Sequence, residues 1–166
     1  MTGRTAGTAA LLELIRRQVP HTVYEYEHDP AERHFGAEIV AKLGLDAART
    51  FKTLIVDLRG AGSRPVCAVV PVNTRLDLKA LARVAGAKRA DLIEPARAER
   101  ITGYRVGGIS PIGQLTRLPT WIDSSATGKP TIWVSGGRRG LVIELATEDL
   151  VTLTSAGFAV LGRPTA

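Results

Sequence analysis

Apolar residues recur at helical spacing near the start of the chain, at Ala9, Leu11, Leu12, Leu14 and Ile15. Arg16 and Arg17 follow in the last turn, where the helix dipole favours cations, and Pro20 ends the predicted helix. Residues 1–7 are expected to fray. Residues 21–28 alternate in the manner of a strand, with Tyr26 and His28 on one face and Glu27 on the other, before Asp29-Pro30 turns the chain. A second amphipathic helix is predicted over 36–43, closed by Gly44.

The most informative strand signal is Phe51-Lys52-Thr53-Leu54-Ile55-Val56, an apolar, β-branched run with one lysine at its mouth. The chain has five lysines against seventeen arginines, and this lysine opens a core strand rather than sitting on a charged face. Its stem can pack while its ammonium meets an anion in a pocket; the plainer reading is a snorkelling lysine at a strand end. Arg59-Gly60-Ala61-Gly62-Ser63 predicts a turn and 66–71 a returning strand. Asp77 suits the N-cap of a helix over 78–85 that Gly86 ends. Residues 91–93 predict a short strand and 96–101 a short helix, while 103–114 hold too many glycines for a regular element. Strands are predicted over 120–123, 131–135 and 141–145, the last two joined through Gly136-Gly137-Arg138-Arg139-Gly140. Thr147 is expected to cap a last helix through Leu153, and 158–161 to form a final strand. Strands outnumber helices, and tight turns join them as often as helices do. That predicts an α+β fold with a curled mixed or antiparallel β-sheet or barrel flanked by helices, and argues against a doubly wound sheet. No repeat, linker or composition break divides the chain, so 1–166 is expected to be a single domain.

Composition narrows the class. No apolar run approaches the length that spans a bilayer, and no signal-peptide h-region begins the chain, so no membrane partner is expected. The single cysteine, Cys67, excludes an intramolecular disulfide and reads as a buried strand residue, and a cytoplasmic protein is expected. A net charge of +6 and a pI near 10.0 favour a polyanionic partner, although arginine-rich composition alone gives the same values.

Candidate chemistry is sparse. In residues 107–113, Gly-Gly-Ile-Ser-Pro-Ile-Gly, the paired glycines let a ligand approach bare backbone, and N–H groups of such a loop can bind a phosphate or carbonyl oxygen. No Gly-Lys-Ser/Thr follows and no strand–loop–helix unit surrounds it, so it is neither a Walker loop nor a dinucleotide fingerprint; a wide turn remains the alternative. Arg138 and Arg139 at a hairpin tip suit a nucleic-acid backbone or plain solvation, and Ser135 just ahead of them can face a pocket. His28 and Asp29 are strand neighbours that point apart, which argues against a dyad. His21, His28 and His34 fit no metal-ligand spacing, and Ser110, Ser124, Ser125 and Ser135 lack a nucleophile elbow. Asp149 is most simply a first-turn acid of the last helix. Spacing alone gives a basic α+β domain with one pocket lysine and a glycine loop, and no reaction.

Four motifs in order extend that reading. Tyr26-Glu-His-Asp-Pro, Phe51-Lys-Thr-Leu, Gly107-Gly-Ile-Ser-Pro-Ile-Gly and Ser135-Gly-Gly-Arg-Arg-Gly-Leu together resemble the YbaK/EbsC family of free-standing editing domains, over about residues 9–161. The pattern is most similar to the Cys-tRNA(Pro) deacylases, which are related to the editing insertion of bacterial prolyl-tRNA synthetase. The resemblance implies a substrate of tRNA(Pro) wrongly esterified with cysteine, engaged at its acceptor end, with prolyl-tRNA synthetase as a possible delivering partner and no cofactor or metal. It makes Lys52 the lysine that holds the terminal adenosine's phosphate. It puts Gly108 in a loop ending at Pro111 whose amides lie near the ester carbonyl, and Tyr26 in the pocket. His28, Ile109, Ser110, Ser135, Gly136 and Asp149 complete the implied substrate-binding set. The implied chemistry is attack by the substrate's own thiol on its ester carbonyl, which needs no protein nucleophile, only a held conformer and backbone donors.

Two alternatives stay open. The same fold can act on another ester such as Ala-tRNA(Pro) through an activated water, or it can be a non-catalytic tRNA- or synthetase-binding module. Arg105, Arg117, Arg138 and Arg139 are the expected tRNA contacts.

Overall fold

The structure is a computed structural model and describes residues 7–60 and 62–165. The expectation of fraying thus falls almost wholly outside the described residues. Among the described residues, five α-helices and ten strands follow in the order α1 (Ala9–Arg16), β1 (His21–Glu25), α2 (Phe35–Leu43), β2 (Phe51–Arg59), β3 (Ser63–Pro71), β4 (Thr74–Leu76), α3 (Leu78–Val84), β5 (Arg89–Leu92), α4 (Pro95–Thr102), β6 (Thr120–Asp123), β7 (Thr131–Ser135), β8 (Leu141–Ala146), α5 (Thr147–Thr154), β9 (Gly157–Ala159) and β10 (Gly162–Pro164). Short 3₁₀ turns at Ala47–Arg49 and Ser124–Ala126 precede β2 and follow β6.

A five-stranded sheet runs β5-β2-β3-β6-β9. It is mixed, because β2 pairs antiparallel with β3 and β5 while β6 runs parallel to β3 and to β9. An antiparallel sheet β1-β8-β7 lies beside it, joined by a bridge between Thr50 and Trp133, and β4 pairs with β10. The fold is α+β, with the mixed sheet expected from the sequence.

The period-2 alternation of β2 and β3 explains their unbroken apolar runs. Phe51, Ile55, Cys67 and Val69 point into one core with Leu11, Leu14, Ile122, Ile143 and Leu150. Val56, Leu58, Val66, Ala68 and Val70 point into a second core with Leu76, Leu81 and Leu161. Each large side chain so buried contributes about 1.5–3 kcal/mol, and β2 and β3 contribute to the core on both faces.

Helix ends follow local chemistry. Thr8 accepts from the Leu11 amide at the start of α1, Asp77 accepts from Ala80 at the start of α3, and Gly44 closes α2 at φ 65°. Three expectations are corrected. The strand predicted over 21–28 stops at Glu25, because its partner strand begins at Leu141, opposite Glu25. Thr147 does not cap α5: it is the first helical residue, and its hydroxyl donates to the Lys129 carbonyl. The strand expected over 158–161 ends at Ala159, because Asp123 Oδ1 accepts from both the Leu161 and Gly162 amides, 2.8 and 2.7 Å away, and turns the chain there into β10.

Candidate active site

Strand β2 is paired with β3 along its whole length, but β5 covers only Val56–Arg59. The edge of its first half is left without a strand, and a cavity of about 480 Å³ opens against it. Residues 51–55 form one wall. His34, Phe35, Gly36 and Ile39 at the start of α2 form another, and Leu92, Ile93, Pro95 and Ala98 a third. Val106, Gly107, Ile109 and Ser135 close the remaining side. Most of this lining is hydrocarbon, and its ionisable side chains are those of Lys52 and His34.

Lys52 is half-buried, and its Nζ donates to the Thr74 carbonyl at 2.7 Å. Burial penalises its charged form, and nearby Arg75 adds repulsion, so its pKa lies below the usual lysine value. The ammonium is therefore fixed by a neutral dipole with no carboxylate paired to it among the described residues, which leaves its charge available to an anion. Thr53, the next residue, lines the same cavity; its Oγ1 is buried and without a hydrogen-bond partner among the described residues. Ser135 also lines the cavity, with its Oγ accepting from the Gly137 amide at 3.1 Å.

The glycine loop is seated on the β7–β8 hairpin. A Cβ on Gly108 would lie 2.7 Å from the Arg138 backbone, and one on Gly107 would meet Phe35 and the Arg139 side chain at 2.8 Å, at a φ of +90°. Glycine is the residue that fits both constraints. Arg139 ties the walls together: its Nε donates to the Val106 carbonyl at 2.8 Å, and its guanidinium lies 4.7 Å from the centre of the Phe35 ring. The Gly108 amide donates to the Arg105 carbonyl at 2.9 Å, so it is engaged within the loop. Among the described residues the amides of Gly107 and Ile109 carry no hydrogen bond, and both residues face the cavity.

Behind Phe35 sits a polar cluster of a different kind. Glu38 is buried in α2 and accepts from the Asp29 amide, from Lys42 at 3.0 Å, and contacts His28 Nδ1 at 2.6 Å. Burial opposes its ionisation, yet these partners together bring its pKa down to about 2. Lys42 also reaches the Glu27 carbonyl, and the His28 ring packs 5.9 Å from Phe35.

The residues expected at the site are thus distributed unevenly. Lys52, Ile109 and Ser135 line the cavity, with Gly108 directly behind it. Tyr26 and His28 line a separate open hollow with Glu27 and Lys42. Ser110 is fully buried, its Oγ accepting from the Ile112 amide, and Pro111 lines a third hollow beside Gln114 and Arg117. Gly136 shapes the hairpin, its amide donating to the Leu141 carbonyl, and Asp149 sits in the first turn of α5; neither lines the cavity. Of the expected tRNA-contacting arginines, Arg139 is committed to the loop, Arg117 reaches the Leu153 carbonyl, and Arg138 pairs with Glu25 at 3.3 Å. Cys67 is buried, and burial pushes its thiol up to about 12. Phe35 and Thr53 are not among the site residues read from the sequence, and Arg139, expected as a tRNA contact, instead braces the loop against Phe35. Their one early signal is an aromatic residue immediately before Gly36, whose added Cβ would lie 2.8 Å from Val72 and which therefore lets α2 approach β3's end.

Comparison with known proteins gives a consistent pattern. A family model described as an aminoacyl-tRNA editing domain matches residues 30–153. A protein of Enterococcus faecalis, EbsC, named as a candidate Cys-tRNA(Pro)/Cys-tRNA(Cys) deacylase, is 40% identical over 153 residues, covering 92% of this chain and 91% of that protein. Among solved structures, a candidate trans-editing enzyme for prolyl-tRNA synthetase superposes with a TM-score of 0.77 at 24% identity, over 93% of this chain and 95% of that one. A hypothetical protein superposes at 0.79 with 25% identity, over 90% and 96%.

Proposed function

The chain belongs to the aminoacyl-tRNA editing domain family, and from that membership we propose that it deacylates tRNA(Pro) wrongly esterified with cysteine. It is an aminoacyl-tRNA deacylase by family. The finer assignment of amino acid and tRNA rests on the site and on the name carried by its Enterococcus faecalis relative.

The observation that carries the assignment is a chamber with one tethered cation and no thiol in its lining, whose hydroxyls are those of Thr53 and Ser135. Lys52 and His34 are its ionisable lining residues, and the buried Cys67 is not among the lining. Such a chamber suits a substrate that brings its own nucleophile. The cysteinyl sulfur attacks its own ester carbonyl, the bond from carbonyl carbon to the tRNA oxygen breaks, and that oxygen takes up the proton lost by the thiol. A four-membered thiolactone and free tRNA result.

The chain's part is to position and to stabilise. Lys52 holds the phosphate of the terminal adenosine, and hydrocarbon from Phe35, Leu54 and Ile109 surrounds the small side chain. The amides of Gly107 and Ile109 are the loop donors available to the oxyanion, in place of the engaged Gly108 amide. Binding of a small side chain by hydrocarbon discriminates by about 1–3 kcal/mol per methylene, so a larger aminoacyl group is rejected mainly by size. The modest charge of +6 suits a transient tRNA encounter in the cytoplasm, aided by prolyl-tRNA synthetase.

The test is amino-acid release from Cys-tRNA(Pro), Ala-tRNA(Pro) and Pro-tRNA(Pro) by wild type and Lys52→Ala. Release of cysteine alone, lost in the variant, is the expected result. Equal release of alanine moves the mechanism to an activated water, and no release from any of the three leaves a binding module.

A further inference from the structure

We propose that Arg75 and Lys52 together form a two-cation seat for backbone phosphates of the RNA 3′ end at the mouth of the cavity. The inference rests on the deacylase reading above and adds Arg75 to the binding surface.

The argument starts from the carbonyl that holds Lys52. Its Nζ lies 2.7 Å from the oxygen of Thr74, and Arg75 is the next residue of β4. Arg75 stands directly across from Arg163 of β10 in the antiparallel register, so the two side chains share a face. Their situations differ. Arg163 Nε is 2.8 Å from Asp77 Oδ2, and Asp77 is further engaged in capping α3. Arg75 is exposed and has no acidic partner among the described residues. Its charge is close enough to Lys52 to depress that amine's pKa.

Two neighbouring cations separated by a neutral carbonyl repel each other, and no acidic side chain among the described residues pairs with either. A phosphodiester beside them turns that repulsion into attraction. Arg also offers a planar fork that suits phosphate oxygens, whereas Lys52 acts as a point charge deeper in the site. The seat is therefore ordered by depth: Lys52 at the cavity takes the phosphate nearest the ester, and Arg75 outside it takes the one before.

The experiment titrates a fluorescent acceptor-stem RNA ending in single-stranded CCA against wild type, Arg75→Ala and Arg163→Ala over a salt series, with Cys-tRNA(Pro) deacylation measured in parallel. Arg75→Ala is expected to weaken RNA binding about five-fold at low salt and to flatten the log–log salt slope by roughly 0.7–1. It raises KM for Cys-tRNA(Pro) and leaves kcat unchanged, while Arg163→Ala alters neither binding nor kinetics. Wild-type affinity and slope in Arg75→Ala overturn the seat, as does an equal effect of Arg163→Ala, which marks diffuse surface charge. An Arg75-sensitive slope in a protein that deacylates nothing upholds the seat and removes the deacylase reading.

Discussion

Two charged groups near the start of α2, the buried Glu38 and the half-buried Lys52, are treated in opposite ways by the fold. On one side, the Glu38 carboxylate is met by the Asp29 amide, His28 and Lys42, while His28 Nε2 is buried without a partner among the described residues. On the other, Lys52 is met by a single backbone carbonyl, with Arg75 rather than an acid nearby and hydrocarbon around the cavity that it enters. The first arrangement gives its carboxylate partners within the fold: it ties the segment 27–29 to α2 and sets the His28 ring 5.9 Å from Phe35. The second is open, because its charge is held in place without being neutralised. Burying a charge without a partner costs several kcal/mol in a fully dry site, and on that ground we propose the half-buried Lys52 as the place where a ligand's charge belongs.

Lys52→Ala gives the strongest break in that contrast, expected to lower kcat/KM for Cys-tRNA(Pro) by about 100-fold through lost positioning, with thermal stability nearly unchanged. Gly108→Ala comes next. Its methyl meets the Arg138 backbone at 2.7 Å, the loop must lift off the hairpin, and activity falls by roughly 30-fold, an estimate from the same sensitivity of rate to small displacements. In Arg139→Ala the Val106 carbonyl and the Phe35 ring lose their common anchor, which costs about 1–2 kcal/mol. The expected readout is about a ten-fold drop in kcat/KM, with partial recovery in Arg139→Lys, which keeps the charge but not the flat stacking surface.

Glu38→Gln sharpens the contrast from the side of the partnered carboxylate. Glu38 titrates at about 2 in the fold against an ordinary 4.5, so its contribution is fully present above about pH 4.5 and is lost as pH falls through about 2. The variant is therefore expected to lower stability by about 2 kcal/mol at pH 7 and to match wild type near pH 2, as read by chemical denaturation at both pH values. The smallest effect is expected at Cys67: with its thiol pushed up to about 12 in a buried position, iodoacetamide should neither label the native protein nor slow deacylation.

The parts of the fold legible from the sequence are those fixed by short-range rules. The α2 helix is signalled by its apolar spacing and the left-handed Gly44, and β2 by an apolar run that two cores share between alternate residues. Strands β4 and β10 are not legible, since each has three residues and owes its existence to pairing across 86 positions, as in Gly162 opposite Leu76. The same distance rule divides the site. Lys52 is readable because its own strand announces it. Phe35 and Thr53 become site residues, and Arg139 the brace between loop and α2, only when α2, β2 and the hairpin converge, and no local pattern encodes that meeting. Tyr26 and His28, read as strand residues facing one way, lie past the end of β1 and line a different hollow.

The most direct test of substrate-borne chemistry compares Cys-tRNA(Pro) with Ser-tRNA(Pro), which exchanges sulfur for oxygen at nearly constant size. A thiol ionises near pH 8.5, and an aliphatic hydroxyl does so far above any pH at which the protein works. If the substrate's thiol is the nucleophile, cysteine is released at least about 100-fold faster than serine at pH 7.5, about the factor by which general acid–base or nucleophile activation changes such rates. Comparable release of serine would contradict the account and place the nucleophile in the chain or in a water that it activates.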